Sequence, residues 1–200
     1  MSDLKQLRNR VKSIKSTQKI TKAMNVVSAA KLKKVKEQAE KLNNYSPVLA
    51  DIMYDISVNR DLGELPENDR KFFSCKVKNT ATLLVLMTSE RGLCGSFNFS
   101  LIRKIKTDIA TLENNGRQVK LLIIGKKGRD ALKAKYSHMI AGYYHVEAGN
   151  YEYVSRAVQD KIISMVEQGE AGACYMYYNK FKNAITQIFT VIQIFITLYR

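Results

Sequence analysis

The sequence predicts an α/β protein in two parts: a long basic N-terminal helix, then a domain with a largely parallel sheet. Three observations carry this. From Ser2 to Asn43 no glycine or proline interrupts a pattern of apolar residues spaced three and four apart. From Thr80 onward, short apolar runs alternate with amphipathic helical stretches, the order that builds a parallel sheet. The least polar stretch, Ala184 to Tyr199, is uncharged but only 16 residues long. That is short of the roughly 20 residues that span a bilayer, and its β-branched content predicts a strand instead.

The helix is justified residue by residue. Leu4, Leu7, Val11 and Ile14 form one apolar row, and Leu32, Val35, Ala39 and Leu42 resume its heptad register. Ser2 or Asp3 can cap its start. A second row, Lys5, Arg8, Lys12, Lys15, Lys19 and Lys22, runs beside the first at the same spacings. Met1 to Lys36 holds 11 Lys and Arg against one acid, Asp3, so this segment supplies +10 of the chain's net +15. In the middle the first row turns polar at Gln18, Thr21, Asn25 and Ser28, while Ile20, Ala23, Met24, Val27 and Ala30 fall on the opposite side. A helix docked on one core keeps one apolar face. A helix whose apolar face changes sides is expected to be gripped by different partners at different heights, and is read here as a partner-bound shaft rather than a solvated surface helix.

The remaining elements follow in order. Ser46-Pro47 is an N-cap and first-turn proline that restarts the helix through about Val58. Residues 1–58 are therefore expected to form the shaft. Residues 59–79, with Gly63, Pro66 and mixed charges, read as a linker, and 80–200 as a Rossmann-like α/β domain with an apolar C-terminal tail. Ala81 to Met87 is a continuous apolar run, expected as a strand buried on both faces. Phe99 to Leu112 is helical by the spacing of Leu101, Ile102, Ile105, Ile109 and Leu112, and stops at Asn114-Asn115-Gly116. Val119 to Ile124 is a second buried strand, Gly125 to Gly128 a turn, and Arg129 to Lys135 a short helix. A weak strand near Tyr143-Tyr144 precedes a helix from Tyr151 to Glu167, and Cys174 to Tyr178 is a further strand.

Composition narrows the function classes. With 46% hydrophobic and 26% charged residues and 2 Pro, wholesale disorder is excluded. The positive balance implies an anionic partner: nucleic acid, an acidic protein surface or anionic lipid. Cys75, Cys94 and Cys174 match no metal spacing and suggest a reduced compartment. With the first helix beginning within three residues of Met1, no signal peptide or amphipathic transit sequence is expected.

Catalytic chemistry is not legible. Gly92-Leu93-Cys94-Gly95 sits where a dinucleotide fold places its phosphate loop, yet its glycines fit neither the GxGxxG nor the Walker spacing. A tight structural turn is the better reading, with Arg91, Gly92, Cys94 and Gly95 as its framework. Gly125-Lys126-Lys127-Gly128 reads as an ordinary strand-to-helix turn. Glu90-Arg91 reads as a local ion pair or loop anchor. Nothing marks His138 or His145 as a base for Cys94, and no residues cluster as a metal site. No catalytic residue, cofactor or metal is expected.

The motifs carry a resemblance. Lys19-Ile20-Thr21-Lys22-Ala23-Met24, followed by Val27-Ser28-Ala29-Ala30-Lys31, resembles the N-terminal signature of the gamma subunit of rotary ATP synthases. Thr88-Ser89-Glu90-Arg91-Gly92-Leu93-Cys94-Gly95, with Asn98 behind it, is similar to that family's loop after its first domain strand. Tyr178-Asn179-Lys180-Phe181-Lys182-Asn183-Ala184 resembles a comparable strand end, and the likeness runs from Leu4 to about Gln187. The resemblance implies a central-stalk rotor whose N-terminal helix is half of an antiparallel coiled coil standing inside the ring of alpha and beta subunits. It places the α/β domain against the epsilon subunit and the ring of c subunits, peripheral to the cytoplasmic face of a bacterial inner membrane. It implies that Lys5, Arg8, Lys12, Lys15, Lys19, Ile20, Lys22, Met24 and Val27 face the alpha/beta ring, and that catalysis lies in other subunits.

The sequence also departs from the family. The chain stops at Arg200, where the family continues into the C-terminal partner helix, so a truncated copy is expected. Thr186-Gln187 is followed by Ile188-Phe189-Thr190-Val191-Ile192 rather than by a proline-containing stretch. Pro47 interrupts the helix, and Ser96 replaces a glycine. The alternative class is a basic nucleic-acid-binding α/β protein, but the lysine row lacks the aromatic interleaving of single-strand binders. An enzyme using Cys94 lacks a base.

Overall fold

The computed structural model describes residues 2–43, 45–59, 66 and 81–194. The stretch read as a linker, 59–79, lies outside the described residues except for Asn59 and Pro66. The chain divides into two compact units, Met1–Asn59 and Arg60–Arg200.

The first unit is two helices. α1 spans Ser2–Asn43, as the absence of breakers predicts. Every residue of α1 whose exposure is described is exposed, including Leu4 at 68% and Ile14 at 66%. Thr17 and Thr21 donate their hydroxyls back to the carbonyls of Ser13 and Thr17, so both satisfy themselves within the helix. α2 spans Ser46–Asn59. Pro47 stands in its first turn, where the missing amide has no partner to lose.

The second unit is a sheet covered by helices on both faces. It contains β1 (Ala81–Met87), α3 (Phe99–Asn114), β2 (Val119–Ile124), α4 (Lys126–Tyr136), β3 (Ile140–Tyr144), α5 (Tyr151–Glu167), β4 (Ala171–Phe181) and β5 (Gln187–Gln193). A three-residue 3-10 turn, Ser137–Met139, joins α4 to β3. The strand order is β3-β2-β1-β4-β5. β1 pairs in parallel with β2 and β4, and β2 in parallel with β3. β5 runs antiparallel to β4.

Two apolar layers follow from the two-residue period of the strands. Leu84, Leu86, Leu121 and Ile123 face α3 and α4, where Leu101, Ile105, Ile109 and Leu132 are fully buried. Leu83, Val85, Leu122 and Ile124 face α5, against Val154, Val158, Ile162 and Met165. Central placement explains why β1 reads as an unbroken apolar run: both of its faces are core. Burying one leucine-sized side chain contributes about 1.5–3 kcal/mol, so β1 alone accounts for a large share of the domain's cohesion.

Three elements differ from the sequence expectation. α4 begins at Lys126, not Arg129, and the stretch read as a turn is its first turn. Gly125 takes φ 100°, a conformation open to glycine, and the helix starts directly from it. β3 is longer than the Tyr143-Tyr144 signal, because pairing with β2 sustains it despite only half burial. β4 extends three residues beyond Cys174–Tyr178 at each end, supported by β1 on one side and β5 on the other.

Candidate functional site

The basic face of α1 comes first. At 3.6 residues per turn the row Lys5, Arg8, Lys12, Lys15, Lys19 and Lys22 lies roughly 90° around the helix from the row Leu4, Leu7, Val11 and Ile14. Ile20, Met24 and Val27 lie roughly 150° from that apolar row in the other direction. All six cationic side chains are exposed, and so are Ile20, Met24 and Val27. The helix therefore presents three distinct faces to its surroundings: apolar, cationic and, from its middle third, a second apolar one.

The loop from Thr88 to Asn98 follows the carboxyl end of β1. Asn98 is buried and organises it. Its Oδ1 accepts from the Ser89 amide at 3.0 Å, and its Nδ2 donates to Ser89 Oγ at 2.8 Å and to Cys94 Sγ at 3.3 Å. Ser89 Oγ also donates to the Arg91 carbonyl at 2.8 Å. The amides of Phe97 and Phe99 are bonded to the carbonyls of Cys94 and Ser96. Nearby, Asn179 on β4 donates its side-chain amide to the Phe97 carbonyl. The amides of Ser89, Phe97 and Phe99 are thus occupied within the loop. Arg91, Gly92, Cys94 and Gly95 lie in this loop between β1 and α3, with Gly95 at φ 56°.

Leu93 is the residue that sequence reasoning missed in this loop. It holds φ 61°, rare for a leucine, and is 96% exposed. The only available signal was its position between Gly92 and Gly95. The loop presents an apolar side chain to solvent on a strained, well-anchored backbone.

Glu90, read from the sequence as a local ion pair or loop anchor, gathers partners that the sequence did not show. Its Oε1 accepts from the Val146 amide at 2.7 Å, and its Oε2 accepts from the Lys126 amide at 3.1 Å. The same Oε2 lies 2.8 Å from His145 Nδ1, and His145 Nε2 lies 2.9 Å from Glu147 Oε1. Glu90 is therefore a loop anchor, and its ionic partner is His145 rather than Arg91. It joins the segments after β1, β2 and β3, and it caps α4 at an amide that has no partner within the helix. Thr88 Oγ1 accepts from the Gly128 amide at 2.8 Å and completes that cap. The hydrogen bond that His145 donates to Glu147, with the charge of Glu90, outweighs partial desolvation and raises the pKa of His145 above its ordinary 6.5.

The cysteines part ways. Cys174 is fully buried on β4, and burial pushes its thiol up to about 12. Cys94 is half-buried, with Ser89 and Asn98 at its sulfur. Cys75 lies outside the described residues. Among the described residues no three His, Cys, Asp or Glu side chains stand together as a metal site. No helix among them is long and apolar enough to cross a membrane.

Comparison with known proteins adds three findings. The sequence pattern of the ATP synthase family matches residues 3–197. The ATP synthase gamma chain of Rickettsia akari (strain Hartford) is 52% identical over 190 residues, which are 95% of this chain and 65% of the relative. That of Rickettsia felis is 50% identical over 194 residues, 97% of this chain and 67% of the relative. The chain thus spans about two thirds of the length of the curated relatives it matches. Among solved structures, the central stalk and c-ring of the Tetrahymena thermophila mitochondrial ATP synthase contains a chain of similar fold, with a TM-score of 0.56 and 26% identity. The match covers 88% of this chain and 72% of that one.

Proposed function

This chain belongs to the ATP synthase gamma-chain family, and from that premise we propose that it is a central-stalk rotor component. In this reading it couples proton flow through a membrane ring of c subunits to ATP synthesis in a ring of alpha and beta subunits. The observation that carries the reading is the 42-residue α1, uninterrupted and exposed along its described length, with its three faces. A shaft turning inside a ring of alternating subunits meets different partners around its circumference. Lys5, Arg8, Lys12, Lys15, Lys19, Ile20, Lys22, Met24 and Val27 are the proposed contacts with that ring. The lysine row complements acidic loops, through charge that steers and orients more than it adds affinity. The role is non-catalytic: torque passes through the chain, and the nucleotide chemistry belongs to its partners.

The sheet domain is proposed to meet the epsilon subunit and the c-ring, with the chain peripheral to the cytoplasmic face of a bacterial inner membrane. The hydrogen bonds of the loop Thr88–Asn98 and of Glu90 tie together the carboxyl rim of the sheet, which suits a domain that passes torque to its neighbours. The similar proteins named above are ATP synthase gamma chains and a central stalk, which favours the rotor reading over nucleic-acid binding by the basic helix.

Co-expression with the alpha and beta subunits of a close relative tests this. The chain should co-purify with the alpha/beta ring in low salt, and reversing Lys19 and Lys22 should weaken that capture. Capture indifferent to salt and to both substitutions would remove the basic face from the mechanism. Bound nucleic acid in place of alpha and beta would refute the rotor reading.

A further inference from the structure

We propose that His145 is a proton-operated latch within the loop after β3, setting how firmly that loop is fastened where it leads into α5. Its two ring nitrogens each face a carboxylate oxygen, at 2.8 Å to Glu90 and 2.9 Å to Glu147. A carboxylate only accepts, and a neutral imidazole has one donor. Only the imidazolium satisfies both contacts. When it loses its proton, one ring lone pair must face a carboxylate oxygen, and one contact opens.

The contact that opens is the one to Glu147. The Glu90 side chain is only 16% exposed and is fixed by the amides of Val146 and Lys126, so the remaining proton stays on Nδ1. Glu147 is 69% exposed and can turn to water. Its own amide donates to Asn150 Oδ1, and Asn150 Nδ2 donates to the His145 carbonyl. Asn150 leads directly into α5. Opening therefore loosens the β3–α5 connection, while the Glu90 anchor holds.

The surrounding charges are accounted for. Glu90 reaches the imidazole from the β1–α3 loop and Glu147 from its own loop. On α4, Lys126 contributes the amide bonded to Glu90, and Arg129 stacks 4.4 Å over the ring of Tyr143 on β3 with Asp130 beside it. The folded pKa is raised, so the latch is fully closed below the unfolded value of 6.5 and opens as pH rises through the folded value. Alkaline conditions release the loop, and acidic conditions fasten it.

The test is an NMR titration of the full chain carrying His138→Gln, which leaves a single imidazole. The ring of His145 should titrate with a midpoint above 6.5, and the amides of Val146, Glu147 and Asn150 should shift with the same midpoint. Glu147→Gln, an isosteric change on an exposed side chain, should lower that midpoint by up to about one unit, a tenfold loss in proton affinity. Should His138→Gln misfold, both imidazoles can be followed in the parent chain and assigned with His145→Gln. A midpoint at or below 6.5, a midpoint indifferent to Glu147→Gln, or loop amides that stay fixed through the titration would each overturn the latch.

Discussion

The phenol of Tyr177 on β4 donates a 2.8 Å hydrogen bond to Asp108 on α3, linking positions 69 residues apart. Tyr177 is buried, and Asp108 reaches the surface, where it also pairs with Lys104. Burial, reinforced by this bond, pushes the phenol well above its ordinary 10, so it remains a donor throughout the working pH range. Tyr177→Phe should cost about 0.5–1.5 kcal/mol in urea unfolding, because Asp108 keeps Lys104 and water as partners. A loss above about 3 kcal/mol would mean that packing of the ring had changed as well.

Gly125 and Gly149 both hold φ near 100° but differ in surroundings. A Cβ on Gly125 would strike the Thr88 carbonyl, whereas one on Gly149 meets nothing within 4 Å. Gly149→Ala should cost the backbone strain alone, about 1–3 kcal/mol. Gly125→Ala should cost clearly more and disturb the start of α4. Equal unfolding energies for the two variants would show that β1 and α4 can separate without penalty.

Reversal of Lys19 and Lys22 to Glu should leave thermal unfolding of the sheet domain unchanged, within about 0.5 kcal/mol, because both side chains are exposed on α1. Differential scanning calorimetry measures this directly. A fall of many degrees would make the lysine row a structural element.

β5 ends the described sheet and carries exposed Ile188, Phe189 and Ile192, with no charge along its seven residues. Such edges pair with one another between molecules. Ile188→Glu places a carboxylate opposite Lys180 on β4 and should contribute about 0.2–1 kcal/mol to the ladder. It should also reduce self-association in sedimentation velocity. Unaltered association would assign it to another surface.

Much of the domain was legible because its signals are local. The runs Val119–Ile124 and Tyr151–Glu167 are bounded by their own neighbours, and the structure reproduces both ranges. β5 was legible from its β-branched, uncharged texture. The start of α4 was not, since its cap comes from Thr88 and Glu90, 36 to 40 residues earlier in the chain. His145 looked unremarkable for the same reason: its partner Glu90 is 55 residues away and reaches it only once β1, β2 and β3 are side by side. Leu93 escaped because its meaning lies in a backbone angle, which composition does not encode. The lysine row was plain from spacing, because a helical period is a local property of the sequence.

The reversal at β5 has a consequence for how the sheet is threaded. β1 starts at Ala81 beside Ala171, and Ile194 returns to bond the Cys174 carbonyl. The incoming and outgoing leads of the domain therefore lie on the same rim, about two strand spacings or roughly 10 Å apart. With four parallel strands alone, the chain would leave from the far rim. With its leads so placed, a short bridge across them would close the sheet domain on itself, and a longer polypeptide could carry it as an insert without rerouting its own path.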